Sequence, residues 1–89
     1  MKDATLDCRD FVSRSALHEV FAQALSFPEH YGCNLDALHD CLTSVSEETR
    51  LTLLHWQAAE EGLGRYASAL KRVLTDSGNE NPLLHIHFS

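Results

Sequence analysis

The sequence predicts an α/β domain, a small three-stranded parallel sheet packed with about four helices, and three observations predict it. Three short aliphatic runs, Ala4–Cys8, Arg50–Trp56 and Leu83–Phe88, read as strands. The longer stretches between them carry apolar residues at helical spacing. Strands separated by helices favour right-handed crossovers and a parallel sheet. The chain has 89 residues, 44% hydrophobic and 22% charged, which suits one ordinary globular domain spanning residues 1–89.

The elements follow in order. After the first strand, Ser13–Phe27 places Leu17, Val20, Phe21, Ala24 and Leu25 at helical spacing. Ser13 or Ser15 can cap this helix and Pro28 is expected to stop it. Tyr31–Asn34 is a turn in which Gly32 is expected to take positive φ. Asn34 is a good N-cap for a second helix, Leu35–Ser44. Beyond the second strand, Gln57–Gly78 is helical, with Ala67, Leu70, Val73 and Leu74 as its apolar stripe. Gly62 and Gly64 are expected to split off a short first piece, and Gly78 to end the helix before a Glu80–Pro82 loop. Trp56 and Tyr66 are read as packing residues.

Net charge is −6, and its distribution says more than its size. The two ends of the chain are balanced. Residues 15–49 hold Glu19, Glu29, Asp36, Asp40, Glu47 and Glu48 and no lysine or arginine. A field of one sign repels nucleic acid and attracts basic partners. The longest apolar runs are a few residues, so no membrane span is expected. The polar start has no apolar signal region. Cys8, Cys33 and Cys41 cannot pair completely and form no Cys-x-x-Cys, which reads as free thiols in a reducing cytoplasm.

The second helix poses a question. At 100° per residue, Leu35, Leu38 and Leu42 share one side; Asp36, His39, Asp40 and Thr43 share another. Asp36 lies in the first turn, where the helix dipole favours a carboxylate. Asp40 lies near the C-terminal end, where it does not, and it repels Asp36 by about 0.2–0.5 kcal/mol. No cation three or four residues away relieves it. A locally unfavourable choice without local compensation points to function. Cys41 faces the core side and reads as a small buried hydrophobe.

Tyr31–Thr43 resembles the recognition segment of the barstar family, intracellular inhibitors of barnase-like ribonucleases. The family pattern runs Tyr-Gly-x-Asn-Leu-Asp-Ala-Leu-x-Asp-Cys-Leu-Thr, and every fixed position is met. The resemblance extends along the chain, through Ala16–Gly32 upstream, Val73–Asp76 downstream and His85–Ser89 at the end. It implies a three-stranded parallel sheet with four helices. It also implies a mechanism: an acidic helix and adjoining loop enter the cation-lined cleft of a basic, guanyl-specific ribonuclease. Asp40 would sit where the scissile phosphate sits, and Asp36 and Asp76 would pair with flanking cations. Tyr31, Gly32, Asn34, Leu35 and Thr43 would form the packed surround, with Val73 beside Asp76. A 1:1 complex of two monomers is implied, with no bond made or broken and no cofactor.

His30, His39 and Val45 stand where the pattern has Tyr, Trp and Trp. Three aromatic anchors are therefore absent from the implied contact surface. Two outcomes fit: a different cognate nuclease, or weaker binding that depends on pH through His39. A second function class also fits, a module of the same fold that sequesters another basic protein or toxin.

His85 and His87 share a strand face, and with His55 on a neighbouring strand they could bind zinc, although no ligand spacing requires it. Cys33, near a helix N-terminus, could be a thiol nucleophile with His39 and Asp40. Cys33 and His39 are six positions apart, on quite different sides of the helix end, which argues against an enzyme.

Overall fold

A computed structural model describes all residues, 1–89. Strand β1 (Lys2–Asp7) leads through a 3-10 turn (Cys8–Asp10) to helix α1 (Arg14–Leu25). Helix α2 (Leu35–Thr43), β2 (Thr49–Leu54), α3 (Trp56–Leu63), α4 (Arg65–Glu80) and β3 (Leu84–Phe88) follow. The three strands are parallel, in the order β1-β2-β3. This is the three-stranded parallel sheet with four helices that the sequence predicts.

Strand alternation decides where the helices sit. Ala4, Leu6, Leu51, Leu53 and Leu84 point to one face and are buried. Asp3, Arg50 and His85 form one row on the opposite face, and Thr5, Thr52 and His87 the next. That face is polar and largely exposed. Parallel sheets are usually covered on both faces; here the core lies on one side only. It joins the sheet to Leu17 and Phe21 of α1, Leu38 and Leu42 of α2, Ala59 of α3 and Leu70 and Leu74 of α4, all essentially without exposure. Each large buried side chain contributes about 1.5–3 kcal/mol. Trp56 is buried edge-on to Phe88, with ring centroids 5.0 Å apart.

Several boundaries differ from expectation for physical reasons. Helix α1 is capped by Ser13, whose Oγ accepts from the Ala16 N–H at 3.1 Å. It stops at Leu25, because Ser26 turns left-handed (φ 56°) and the chain leaves three residues before Pro28. The α3–α4 break is a single residue, Gly64, at φ 58° and ψ −128°, a conformation that L side chains rarely adopt; Gly62 stays inside α3. Helix α4 passes through Gly78 and ends two residues later at Glu80. Gly78 is not a stop: a Cβ there would come within 3.2 Å of Ile86 Cγ1, so it admits close approach of α4 to β3. His55 is a left-handed residue after β2 that opens α3, and Trp56 is helical instead of the strand's last residue.

Candidate functional site

Helix α2 forms where Asn34 Oδ1 accepts from the Ala37 N–H at 2.7 Å, satisfying a first-turn amide. Leu38 and Leu42 are buried, Asp36 and Asp40 are exposed, and His39 and Thr43 are half-buried. Its apolar side packs toward the sheet and α4, so the acidic side must face solvent. The turn before it corrects the sequence reading: the positive φ belongs to Cys33 (52°), not to Gly32. Gly32 lies in a close approach instead, since a Cβ there would lie 3.3 Å from Asn34 Nδ2 and 3.4 Å from Ala37 Cβ.

The loop before α2 is held from behind. His18, buried in α1, bonds the Tyr31 hydroxyl through Nδ1 at 2.6 Å and the Tyr66 hydroxyl through Nε2 at 2.8 Å. A neutral imidazole has one N–H donor and one acceptor, so one phenol accepts and the other donates. Burial lowers the His18 pKa, because the charged form would lose water. Burial raises both phenols, with the nearby Arg14 pulling Tyr66 slightly back. The Arg14 guanidinium carbon lies 4.4 Å from the Tyr66 ring centre.

The far end of α2 is held by Asn81. This buried residue caps α4, and its Nδ2 donates to the carbonyls of Leu42 (3.1 Å), Thr43 (3.4 Å) and Val45 (3.0 Å). Its Oδ1 accepts from the Leu83 N–H at 3.0 Å. The reversed amide would face three carbonyls with an oxygen, so the neighbours fix its orientation. Thr43 Oγ1 donates back to the His39 carbonyl at 2.8 Å.

One ion pair joins α2 to α4: His39 Nε2 meets Glu80 Oε2 at 2.7 Å. Asp76 and Glu80 lie one turn apart on α4, both exposed. Asp36, Asp40 and Asp76 have no cation within ion-pair distance; the ion pairs are Arg9–Asp7, His39–Glu80, Arg50–Asp3 and His85–Glu48. His30, Tyr31, Gly32, Asp40 and Val45 meet around one open cleft of about 800 Å³. Leu35 and Val73 instead pack half-buried against the core. Cys41 is half-buried and lines the cleft, less enclosed than its place on the helix suggests. Burial, then the neighbouring Asp40, raises its thiol pKa.

The other constellations do not assemble. His85 and His87 lie beside Arg50 and Thr52, whereas His55 lies beyond the end of β2. No group of three histidine, cysteine or acidic side chains converges as metal ligands. The Cys33 thiol faces the Tyr31 carbonyl at 3.6 Å, while His39 turns to Glu80. All three cysteines are free, and Cys8, buried, has its pKa pushed up to about 11.

A family model described as Barstar (barnase inhibitor) matches residues 1–88. The chain belongs to the barstar family. It is also 37% identical over 81 residues to "Putative ribonuclease inhibitor YrdF" of Bacillus subtilis (strain 168), covering 90% of this chain and 89% of that protein. The barstar family is one of inhibitors, not of enzymes. No helix of this member is long and apolar enough to cross a membrane.

Three residues of the site escaped sequence reasoning. His18 sits on the apolar side of α1 beside Leu17 and Phe21, a position that itself could have flagged a partnered polar group. Asn81, directly before Pro82, reads locally as loop. Glu80 gives no signal, because its partner lies forty-one residues upstream.

Proposed function

We propose that this protein inhibits a basic, barnase-like ribonuclease by placing α2 and the preceding loop in its active site. The observation that carries the reading is that Asp36, Asp40 and Asp76 are exposed and without an ion-pair partner. Free carboxylates on a rigid helix cost a little stability through mutual repulsion. A cleft built to bind phosphate supplies the cations that remove it. Asp40 takes the place of the scissile phosphate and accepts charge-assisted hydrogen bonds. Asp36, at the start of the helix, and Asp76, on α4, meet flanking cations. Tyr31, Gly32, Asn34 and Thr43 shape the surround. The long-range field speeds encounter, which suits an inhibitor acting in the cytoplasm as a monomer in a 1:1 complex.

The printed name of the Bacillus subtilis relative supports this reading, as does the family description. His30, His39 and Val45, in place of three aromatics, direct it toward a nuclease whose complementary surface differs from that of barnase itself.

The test is titration of the protein against barnase and other basic microbial guanyl-specific ribonucleases while RNA cleavage is followed. Stoichiometric inhibition is expected for at least one of them. Asp40→Ala should weaken it by about a hundredfold or more, the loss of about 3 kcal/mol of charged hydrogen bonding. Asp36→Ala should weaken it less. A folded protein that inhibits none of these nucleases would overturn the proposal.

A further inference from the structure

The uncovered face of the sheet carries a pair of histidines that the inhibitor reading leaves unused. His85 and His87 are alternate residues of β3, so both side chains stand on the polar face opposite the helices, and both residues are exposed. At about 3.3 Å of rise per residue their Cα atoms lie about 6.6 Å apart, close enough for two imidazoles to share one ion. His85 is also held in place. Its Nε2 lies 3.0 Å from Glu48 Oε1. An ionised carboxylate only accepts, so Nε2 carries the proton and Nδ1 of the neutral ring keeps its lone pair. A carboxylate on the second ring nitrogen is the usual support of a metal-ligating histidine. The strand register also keeps cations away. Arg50 is the neighbour of His85 across the sheet, but its Nε turns to Asp3 on β1, at 3.8 Å. His87 has neutral neighbours, Thr52 on β2 and Thr5 beyond it on β1.

We infer that His85 Nδ1 and a ring nitrogen of His87 bind one divalent transition-metal ion, with Glu48 orienting His85. Imidazole suits zinc, copper and nickel, whereas magnesium and calcium take oxygen ligands. The site supplies two protein ligands, since no group of three histidine, cysteine or acidic side chains converges. It is therefore an open, solvent-facing site and not a closed structural one. A tetrahedral ion held there keeps two positions for water or for a ligand brought by another molecule. The exposed sheet face gives that molecule access. Helix α2 packs on the other side of the sheet, with the core. Occupancy of the histidine pair thus leaves the acidic helix free, and the inference stands apart from the ribonuclease reading.

The experiment titrates Zn²⁺ into the tag-free, isotope-labelled protein while imidazole and amide signals are followed by NMR. Saturable shifts are expected at both His85 and His87, with the ring signals of His85 reporting a proton on Nε2 and the metal on Nδ1. Mg²⁺ should produce no such shifts. His85→Asn should abolish saturation at His87, and His87→Asn should abolish it at His85. Glu48→Gln, which keeps the size of the side chain and removes its charge, should weaken Zn²⁺ binding about tenfold. All three positions are exposed, so the variants should stay folded, which circular dichroism checks. Zinc that collects at Cys33 and leaves His85 and His87 unmoved would overturn the inference. So would an equal response to Mg²⁺, or unchanged Zn²⁺ binding in Glu48→Gln or in either histidine variant.

Discussion

At its N-terminal end α2 is tethered through Tyr31 to a buried imidazole, and at its C-terminal end through a buried carboxamide. Both tethers cross to other elements: His18 to α1 and Tyr66 of α4, Asn81 to the cap of α4. Both place backbone that flanks the acidic face. They differ in chemistry, because an imidazole takes up a proton in the physiological range and a carboxamide does not. The two ends of α2 should therefore respond differently to acid. Substitution at each end separates the contributions.

The largest effect is expected at Asn81. Asn81→Leu keeps the approximate volume and strands the Thr43 and Val45 carbonyls and the Leu83 N–H, while the Leu42 carbonyl keeps its bond from the Val45 N–H. The cost should be about 3 kcal/mol, read as a lower urea midpoint at unchanged slope. Asn81→Asp is the sharper probe, because it changes the donor amine into an acceptor facing three carbonyls. It should destabilise at least as much at pH 7 and recover part of the loss in acid, as the carboxyl is protonated. Equal stability of Asn81→Asp and the parent would remove the C-terminal tether from the comparison.

At the other end, His18→Gln should cost about 1–2 kcal/mol near pH 8, since glutamine cannot reach both phenols. Its pH dependence is the discriminating readout. The folded protein holds the His18 pKa below that of the unfolded chain. As pH falls below about 6.5, the unfolded chain takes up the proton first, so stability is full above that pH and declines below it. The slope is at most about 1.4 kcal/mol per pH unit for one proton. His18→Gln should flatten this decline, whereas Asn81→Leu should leave it intact. Asp7, held down to about 2 by its hydrogen bonds to Arg9, begins to lose its contribution only below the ordinary carboxylate range, so it plays no part in the onset of the decline near pH 6.5.

These tethers also mark what the sequence could reveal. The elements were legible because each carries its own local signal: the aliphatic strands, Ser13 and Asn34 as caps, the apolar stripe of α4. The acidic side of α2 was legible for the same reason, since helical spacing alone separates Asp36 and Asp40 from Leu38 and Leu42. The tethers were not, because each joins residues far apart in the chain, as Asn81 joins Leu42. Glycine readings failed in the same way. Gly32 and Gly78 answer to neighbours across space, and local conformation suggested turn and stop instead.

A smaller effect tests the N-terminal end without the imidazole. Asn34→Ala removes the cap of α2 and should cost about 1 kcal/mol, independent of pH in the His18 window. If the loop is held mainly by Tyr31, binding should weaken only by about the same factor as stability. A far larger loss of inhibition would show that Asn34 itself meets the partner.

The smallest effect on stability, and the one that most refines the comparison, belongs to His39. It lies on the C-terminal half of α2 and pairs with Glu80 across the helix interface. Both side chains are substantially exposed, at 36% and 57%, so His39→Gln should change stability by no more than about 1 kcal/mol. Its weight should fall on binding. A fixed cation at this position would subtract one charge from the carboxylates of α2 that a basic partner reads, so His39→Lys is expected to bind such a partner more weakly than His39→Gln in titration calorimetry. If affinity falls in acid and the fall disappears with His18→Gln, acid weakens binding by loosening the loop, and the pH response of the whole helix belongs to its N-terminal tether.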